Sequence, residues 1–199
     1  MKLALVVPPP HVTSAVGEYA QSLLPHLEEL MQVTLFDEES VGTLNPRNFD
    51  QVLYIVGDEA CCAFMVPALR AIGGTVDLFA WNLGQLANAI WPELQRGGMR
   101  ARLRRLREGR DLNRSIVRHG DAFIVRDECL AGQILEDRNA STPIAKAPRD
   151  DKGAIAARYL EILESFPAPR TARRPILYSI IQEADRRRAE RDKQQSESP

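Results

Sequence analysis

Short apolar runs alternate with segments of helical periodicity through most of this chain. Apolar residues recur at spacings of three and four from residue 15 to residue 30, and Ser14 or Thr13 stands where the N-cap of such a helix belongs. A second helical segment, residues 60–72, ends at the glycine pair Gly73-Gly74. The apolar runs predict strands at residues 2–7, 32–36, 51–56, 75–79 and 121–125. Strand and helix in this alternation predict right-handed crossovers and a parallel sheet.

The second half of the chain is less regular. Residues 81–119 are mostly helical in pattern, with breaks at Pro92 and at Gly97-Gly98, and a short helix is predicted at residues 128–137. After a connector with a short strand at residues 143–147, apolar residues at helical spacing predict an amphipathic helix that includes Tyr159. We therefore divide the chain into an α/β domain (residues 1–147), a C-terminal helix that packs back on it (148–165), a proline-rich linker (166–175) and a polar helical tail, partly disordered (176–199).

Composition limits the chain to one domain of ordinary size. Its 199 residues, 44% of them apolar, suffice for one α/β domain with a full core. Lys and Arg number 26 against 27 Asp and Glu, so the net charge of -1 gives no argument for nucleic acid or a membrane from the protein as a whole. The apolar run at residues 3–7 is too short for a signal peptide, and no run is long enough to cross a bilayer, so we expect a cytoplasmic protein.

The residues that usually carry metal or acid-base chemistry are few. Three cysteines, with Cys61 and Cys62 adjacent, fit neither a disulfide framework nor a zinc spacing, so buried reduced thiols are the better interpretation and no metal is predicted. The histidines have no nucleophile or carboxylate at a catalytic spacing, and no catalytic residue is assigned. A solvated or capping role suits His26, whereas His11 lies in a predicted ligand-facing loop and is a candidate for binding.

A dinucleotide cofactor is not predicted, although the fold class allows one. The loop after the first strand lacks G-x-G-x-x-G, and Gly17 alone cannot provide the close backbone approach that a pyrophosphate needs. Asp37 and Glu38 stand where a ribose-binding carboxylate would be, but acidic residues are common after strands. No cofactor of any kind is assigned.

Eight arginines between residues 100 and 118 form the most charged stretch of the chain. Met99, Leu103 and Leu106 give this stretch a narrow apolar stripe, so it is typical of a basic amphipathic helix. A solvated helix face, an anionic membrane surface and nucleic acid remain as alternatives, and the lack of interleaved aromatic residues argues against specific nucleic-acid binding. The candidate membrane or anion contacts are Arg100, Arg102, Arg104, Arg105 and Arg107.

Four segments, taken together, resemble the N-terminal domain of a known enzyme family. They are PPPHVTSAVGEYAQSLLPHLEELMQVTLF, QVLYIVGDEACCAFMVPALR, VDLFAWNLGQL and GDAFIVRDECLAGQIL. In this order they resemble the N-terminal, acceptor-binding domain of retaining glycosyltransferases with the GT-B fold, in the sucrose-synthase-like family. The resemblance covers about residues 1–147 and implies a single Rossmann-like parallel sheet flanked by helices, with a C-terminal helical extension.

The departures from that family concern its sugar-contacting positions. The family's Ser-Gly in the first loop is Ser14-Ala15 here, which adds a Cβ where backbone would approach the donor. Cys62 replaces a histidine of the family, Asp58 an asparagine, and the pair Phe79-Ala80 replaces a His-Asp pair. About 180 residues would be needed for the family's nucleotide-sugar domain, and about 50 follow residue 147.

These observations favour a glycosyltransferase-like protein without donor-binding domain or catalysis, which binds a glycan, a lipid-linked sugar or a partner protein. One alternative is the acceptor- and membrane-binding subunit of a split hexosyltransferase, active only with a partner chain that supplies the nucleotide-sugar domain. Another is a nucleotide- or nucleic-acid-binding module. We expect a role in polysaccharide biosynthesis, at the inner face of the membrane. The candidate substrate-binding residues are His11, Thr13, Ser14, Asp58, Trp81 and Asn82.

Overall fold

A computed structural model of the chain describes residues 1–90, 112–137, 142–146 and 152–168. Six parallel strands form one sheet in the order β2-β1-β3-β4-β5-β6. The strands are β1 (Lys2–Val6), β2 (Gln32–Phe36), β3 (Gln51–Val56), β4 (Thr75–Leu78), β5 (Ala122–Val125) and β6 (Ile144–Lys146). The predicted α/β fold with a single parallel sheet is confirmed.

Helices connect these strands and cover the sheet. They are α1 (Ala15–Leu30), α2 (Met65–Ile72), α3 (Gly84–Ile90), α4 (residues 112–119), α5 (Glu128–Asp137) and α6 (Lys152–Ser165), with short 3-10 helices at Val41–Thr43, Pro46–Asn48 and Ala60–Cys62. The central strands are buried on both faces, as parallel strands between two helical layers should be. Within the described ranges, no helix is long and apolar enough to span a membrane.

The helix predicted at residues 60–72 is shorter in the structure. A 3-10 helix occupies Ala60–Cys62, and the α-helix itself begins at Met65. The start at Met65 places Pro67 in the first turn of the helix, where its missing N–H costs no intrahelical hydrogen bond. The helix starts two residues before this proline, and Gly73 ends it at φ +79°.

The C-terminal helix α6 packs against α1. The side-chain amide of Gln51, the first residue of β3, fixes the C-terminal end of α6. Gln51 Nε2 donates to the carbonyl oxygens of Leu163, Phe166 and Pro167 at 3.0, 3.2 and 3.3 Å. Gln51 thus satisfies carbonyl groups that the end of a helix leaves without intrahelical partners. The end of α6 and the two residues Phe166 and Pro167 therefore lie at the amino-terminal edge of the sheet.

Candidate functional site

The strand order reverses between β1 and β3, because β1 pairs with β2 on one side and with β3 on the other. In open α/β sheets the crevice at the carboxyl ends of such a strand pair is the usual ligand site. Residues 7–14 after β1 and residues 57–59 after β3 border this crevice. The start of α1 lies between them.

Ser14 begins α1 as its N-cap. Its backbone is extended, at φ -153° and ψ 141°, and its Oγ accepts from the Gly17 N–H at 2.7 Å. Ser14, rather than Thr13, is therefore the cap. A Cβ on Gly17 would lie 2.8 Å from that oxygen, so glycine at this position keeps the cap intact.

Glu59, from the loop after β3, binds the same helix start. The Val16 N–H donates to Glu59 Oε1 at 3.2 Å, and the Cys61 thiol donates to Glu59 Oε2 at 3.6 Å. Gly57 lets this loop approach closely, because a Cβ there would lie 2.4 Å from Cγ2 of Val16. A carboxylate of the chain itself therefore occupies the position where α/β proteins often bind phosphate.

Asp58 caps another helix. Its Oδ1 accepts from the backbone N–H groups of Gln85 and Leu86, at 2.7 and 3.0 Å, in the first turn of α3. Asp58 thus links the loop after β3 to α3. That Asp58 also contacts a ligand remains a prediction.

The other predicted contacts lie in the loops along the same edge. His11, Thr13 and Asn82 are exposed, whereas Trp81 is half-buried and its carbonyl accepts from Asn113 Nδ2 at 2.6 Å. Of the three candidates in the loop after β1, His11 and Thr13 are therefore accessible, whereas Ser14 is buried as the helix cap. The predicted anion contacts Arg100, Arg102, Arg104, Arg105 and Arg107 lie outside the described residues.

An apolar cleft of about 130 Å³ lies beside this crevice, between the start of α1 and the end of β2. Asp37 lies on its rim, and its Oδ1 accepts from the Ser40 hydroxyl at 2.6 Å and from the Ser40 N–H at 3.0 Å. These bonds, with the hydroxyl bond as the larger effect, lower the pKa of Asp37 and hold its carboxylate in place. The lining residues are Val7, Pro8, Pro10, Gly17, Ala20, Gln21, Leu24, Leu35, Phe36 and Asp37.

A charged cluster that the sequence analysis missed is buried farther along the sheet. Asp77 of β4 is fully buried, and its Oδ2 accepts from Arg126 Nη2 at 2.7 Å and from the Tyr159 hydroxyl. The guanidinium of Arg126, just past β5, lies over the rings of Tyr19 and Phe79, at 4.7 and 4.3 Å from their centres. The hydroxyls of Tyr19 and Tyr159 are 3.2 Å apart. The cluster therefore joins α1, α6 and two strands.

Burial dominates the electrostatics of this cluster. It raises the pKa of Asp77 to about 6, although Arg126 and Tyr159 favour the charged carboxylate. Burial also raises the pKa of Tyr159, with the charge of Asp77 acting in the same direction. Burial opposes the charge of Arg126, but the neighbouring Asp77 more than compensates and raises the pKa of the guanidinium. Arg126 is therefore a permanent cation whose buried partner titrates.

The cysteines divide by position. Cys62 is buried, Cys61 is half-buried and Cys129 is exposed, so the expected burial holds fully for Cys62 alone, and all three are free. Burial raises the pKa of Cys62 to about 12 and also raises that of Cys61, so neither thiol is activated as a thiolate. Within the described ranges, no group of three or more His, Cys, Asp or Glu side chains could hold a metal ion.

Comparison of the chain with models of known protein families gives no match, and comparison with curated proteins gives none either.

Proposed function

We propose that this protein is a glycosyltransferase-like binding module that holds the neutral sugar of a glycan or of a lipid-linked sugar without transferring it. The observation that carries the proposal is the bond between the Val16 N–H and the Glu59 carboxylate at the start of α1. With Ser14 bound to the Gly17 N–H, the chain itself already uses two of the donors in the first turn of the helix, those of Val16 and Gly17.

This arrangement disfavours a sugar nucleotide. A diphosphate at the start of α1 would have to displace Glu59 and would meet its negative charge at short range. Retaining sugar transfer needs its diphosphate leaving group held and neutralised, so a carboxylate here works against the chemistry as well as against binding.

The cleft beside α1 offers what a neutral sugar ring needs. Pro8, Pro10 and Leu35 give it an apolar lining against which the C–H face of a sugar can pack. Asp37, held by Ser40, presents a carboxylate on the rim that can accept bonds from sugar hydroxyls. An apolar wall with one oriented acceptor suits a neutral polyol better than an anion.

Calorimetry is the direct test. We expect no heat of binding when UDP-sugars or GDP-sugars are titrated into the protein, and saturable binding for at least one member of a panel of neutral oligosaccharides. Asp37→Asn should weaken that binding about tenfold, because a bond to a charged acceptor is lost. Glu38→Gln is the matched control, since this exposed neighbour makes the same charge change outside the cleft.

Two results would count against the proposal. Micromolar affinity for a sugar nucleotide would mean that Glu59 does not close the crevice to phosphate. Equal weakening by Asp37→Asn and Glu38→Gln, with unchanged melting temperatures, would remove the cleft as the site.

We propose in addition that the basic stretch at residues 100–107 holds the protein peripherally on anionic membranes, where a lipid-linked sugar would be found. The sequence supports this with five arginines in eight positions beside a narrow apolar stripe. The full chain should float with liposomes that contain anionic lipid, and less of it should float as salt is raised. Replacing Arg102, Arg104 and Arg105 with serine should reduce the floating fraction. Flotation that is independent of lipid charge and salt would exclude this part of the proposal.

A further inference from the structure

Strand β2 lies at the edge of the sheet, and some of its backbone groups point away from β1. The Gln32 N–H donates to the Met1 carbonyl at 3.0 Å, so the backbone of Gln32 faces β1. Because neighbouring residues of a strand direct their N–H and C=O groups to opposite edges, those of Val33 and Leu35 point outward. Within the described ranges, no residue bonds to these four groups.

This edge lacks the features that usually keep sheet edges apart. Native proteins protect an edge strand with charged side chains, proline or a bulge. Strand β2, with the sequence QVTLF, has no charge and no proline, and it pairs regularly with β1 through all five residues. Leu35 is 45% exposed, and Val33 shares its side of the strand. The edge is therefore open to a further strand and apolar on one side.

The outward groups of β2 are complementary to those of a second, antiparallel β2. With Val33 of each copy opposite Leu35 of the other, every outward N–H meets an outward carbonyl. Each copy supplies two donors and two acceptors, so the pair forms four hydrogen bonds. Thr34 then lies on the two-fold axis, and the side chains of Leu35 and Val33 meet in two apolar pairs.

The residues on either side of β2 disfavour the neighbouring registers. The Met31 N–H donates to the Leu27 carbonyl at 2.9 Å, and the Asp37 N–H donates to Ser40 Oγ at 2.8 Å. Any shift of the antiparallel pairing that keeps outward groups opposite each other would need one of these two donors. The register centred on Thr34 uses neither of them.

The charges beside β2 suit the same arrangement. Antiparallel pairing brings the acidic turn of one copy, residues 37–39, to the start of β2 in the other copy. A groove at that place is lined by Lys2 and Arg47. Asp50 also lines this groove, but its carboxylate accepts from the Lys2 N–H at 2.7 Å, and the glutamates at positions 28 and 29 do not line it. The acidic turn therefore meets a surface with more basic than acidic side chains.

We propose that two copies of this protein pair through their β2 strands about a two-fold axis at Thr34, which joins the two sheets into one. Leu35 of each copy packs against the partner's Val33 and is removed from water. Because Leu35 also lines the cleft beside α1, the second copy borders that cleft. The pairing itself does not depend on the function proposed for the cleft.

Hydrogen exchange at single amides, combined with light scattering over a dilution series, tests this pairing. The wild type should form a dimer, and the Val33 and Leu35 amides should exchange at least about tenfold faster once dilution gives the monomer. The amides of Thr34 and Phe36 bond within the chain and should be protected in both states.

Three results of this experiment would overturn the proposal. The first is a chain that is monomeric at every concentration. The second is a dimer in which the Val33 and Leu35 amides exchange as fast as in the monomer. The third is protection of these two amides in the monomer, because another segment of the same chain would then pair with the edge.

A proline at position 35 tests the main-chain bonds directly. Leu35→Pro removes an N–H that the described part of the chain does not use, so the sheet tolerates it. The dimer loses two of its four bonds, and its dissociation constant should be about tenfold or more above that of Leu35→Thr. Leu35→Thr is the control, since it loses the same apolar side chain but keeps the N–H. Equal dissociation constants for the two variants would exclude pairing through the main chain.

Charged residues at Thr34, which is exposed, test the position of the axis without disturbing the core. Thr34→Lys and Thr34→Glu each place like charges opposite one another, so each variant alone should dimerise about fivefold more weakly than the wild type. A mixture of the two should form the mixed dimer in preference to either self-pair. Without that preference, the register is wrong. No sugar enters these experiments, so their failure would leave the proposal for the cleft intact.

Discussion

Replacing Arg126 with methionine is expected to lower the free energy of unfolding by about 3–5 kcal/mol near pH 7.5, because it leaves the fully buried Asp77 carboxylate without its cation. Urea denaturation followed by circular dichroism measures this loss. The double variant Asp77→Asn/Arg126→Met is the control, since it removes both charges. It should be clearly more stable than Arg126→Met, which distinguishes an unpaired charge from lost packing against Tyr19 and Phe79.

The effect should also depend on pH in a defined direction. The pKa of Asp77 is about 6 in the folded protein against an ordinary 3.8, so the folded state holds this proton more tightly than the unfolded state. The stability that this tighter proton binding gives the folded protein is fully present below about pH 4 and is lost as the pH rises through about 6. The wild type should therefore lose stability over that interval relative to Asp77→Asn. The penalty of Arg126→Met should be smallest at low pH, where the carboxyl is neutral.

A penalty for Arg126→Met that is equal at pH 5 and pH 7.5, and equal in the double variant, would mean that the pair contributes through its packing alone.

Substituting Gly74 with alanine should destabilise the fold by about 2–4 kcal/mol, from backbone strain and overpacking together. Gly74 has φ +124°, a conformation that residues with a Cβ rarely adopt. Its added Cβ would lie 2.7 Å from the carbonyl oxygen of Val52 and 3.1 Å from the ring of Tyr54. These are atoms of the central strand β3, which cannot move without disturbing the sheet.

Gly132→Ala provides the comparison in the same denaturation experiment. Gly132 lies on α5, where a Cβ would meet no atom within 4 Å. This change should stabilise the protein by about 0.5–1 kcal/mol through helix propensity. If both alanine variants shifted the unfolding midpoint in the same direction, the approach between Gly74 and β3 would not limit this turn.

The spacing of apolar residues in the sequence correctly predicts those elements whose ends are determined by residues close to them in the chain. The helix Ala15–Leu30, the strands Gln32–Phe36 and Gln51–Val56 and the helix Glu128–Asp137 have the predicted bounds, because apolar spacing determines each of them locally. Helix α2 begins later than its apolar spacing predicts, because residues 60–62 form a 3-10 helix and the start at Met65 places Pro67 in the first turn.

The buried cluster was not accessible to the same reasoning. Asp77 and Arg126 are 49 residues apart and Asp77 and Tyr159 are 82 apart, so their contact follows from strand order and from where α6 lies. The one local sign was an aspartate inside the apolar strand segment VDLF, which required a buried partner. Glu59 was missed for a related reason, since its bond to Val16 crosses from the loop after β3 to the start of α1.

The long-range contacts of α6 also bear on the order in which a newly made chain can fold. Strands β1 to β5 and helix α1 all lie before residue 126. Tyr159 and the carbonyl groups bound by Gln51 come later in the chain. Until α6 is synthesised, Asp77 lacks the Tyr159 bond, and the side-chain amide of Gln51 lacks those carbonyl acceptors. The covering of Asp77 by α6 is therefore a late event of biosynthesis. In a ribosome-bound chain that ends before residue 152, Asp77 should be exposed to solvent.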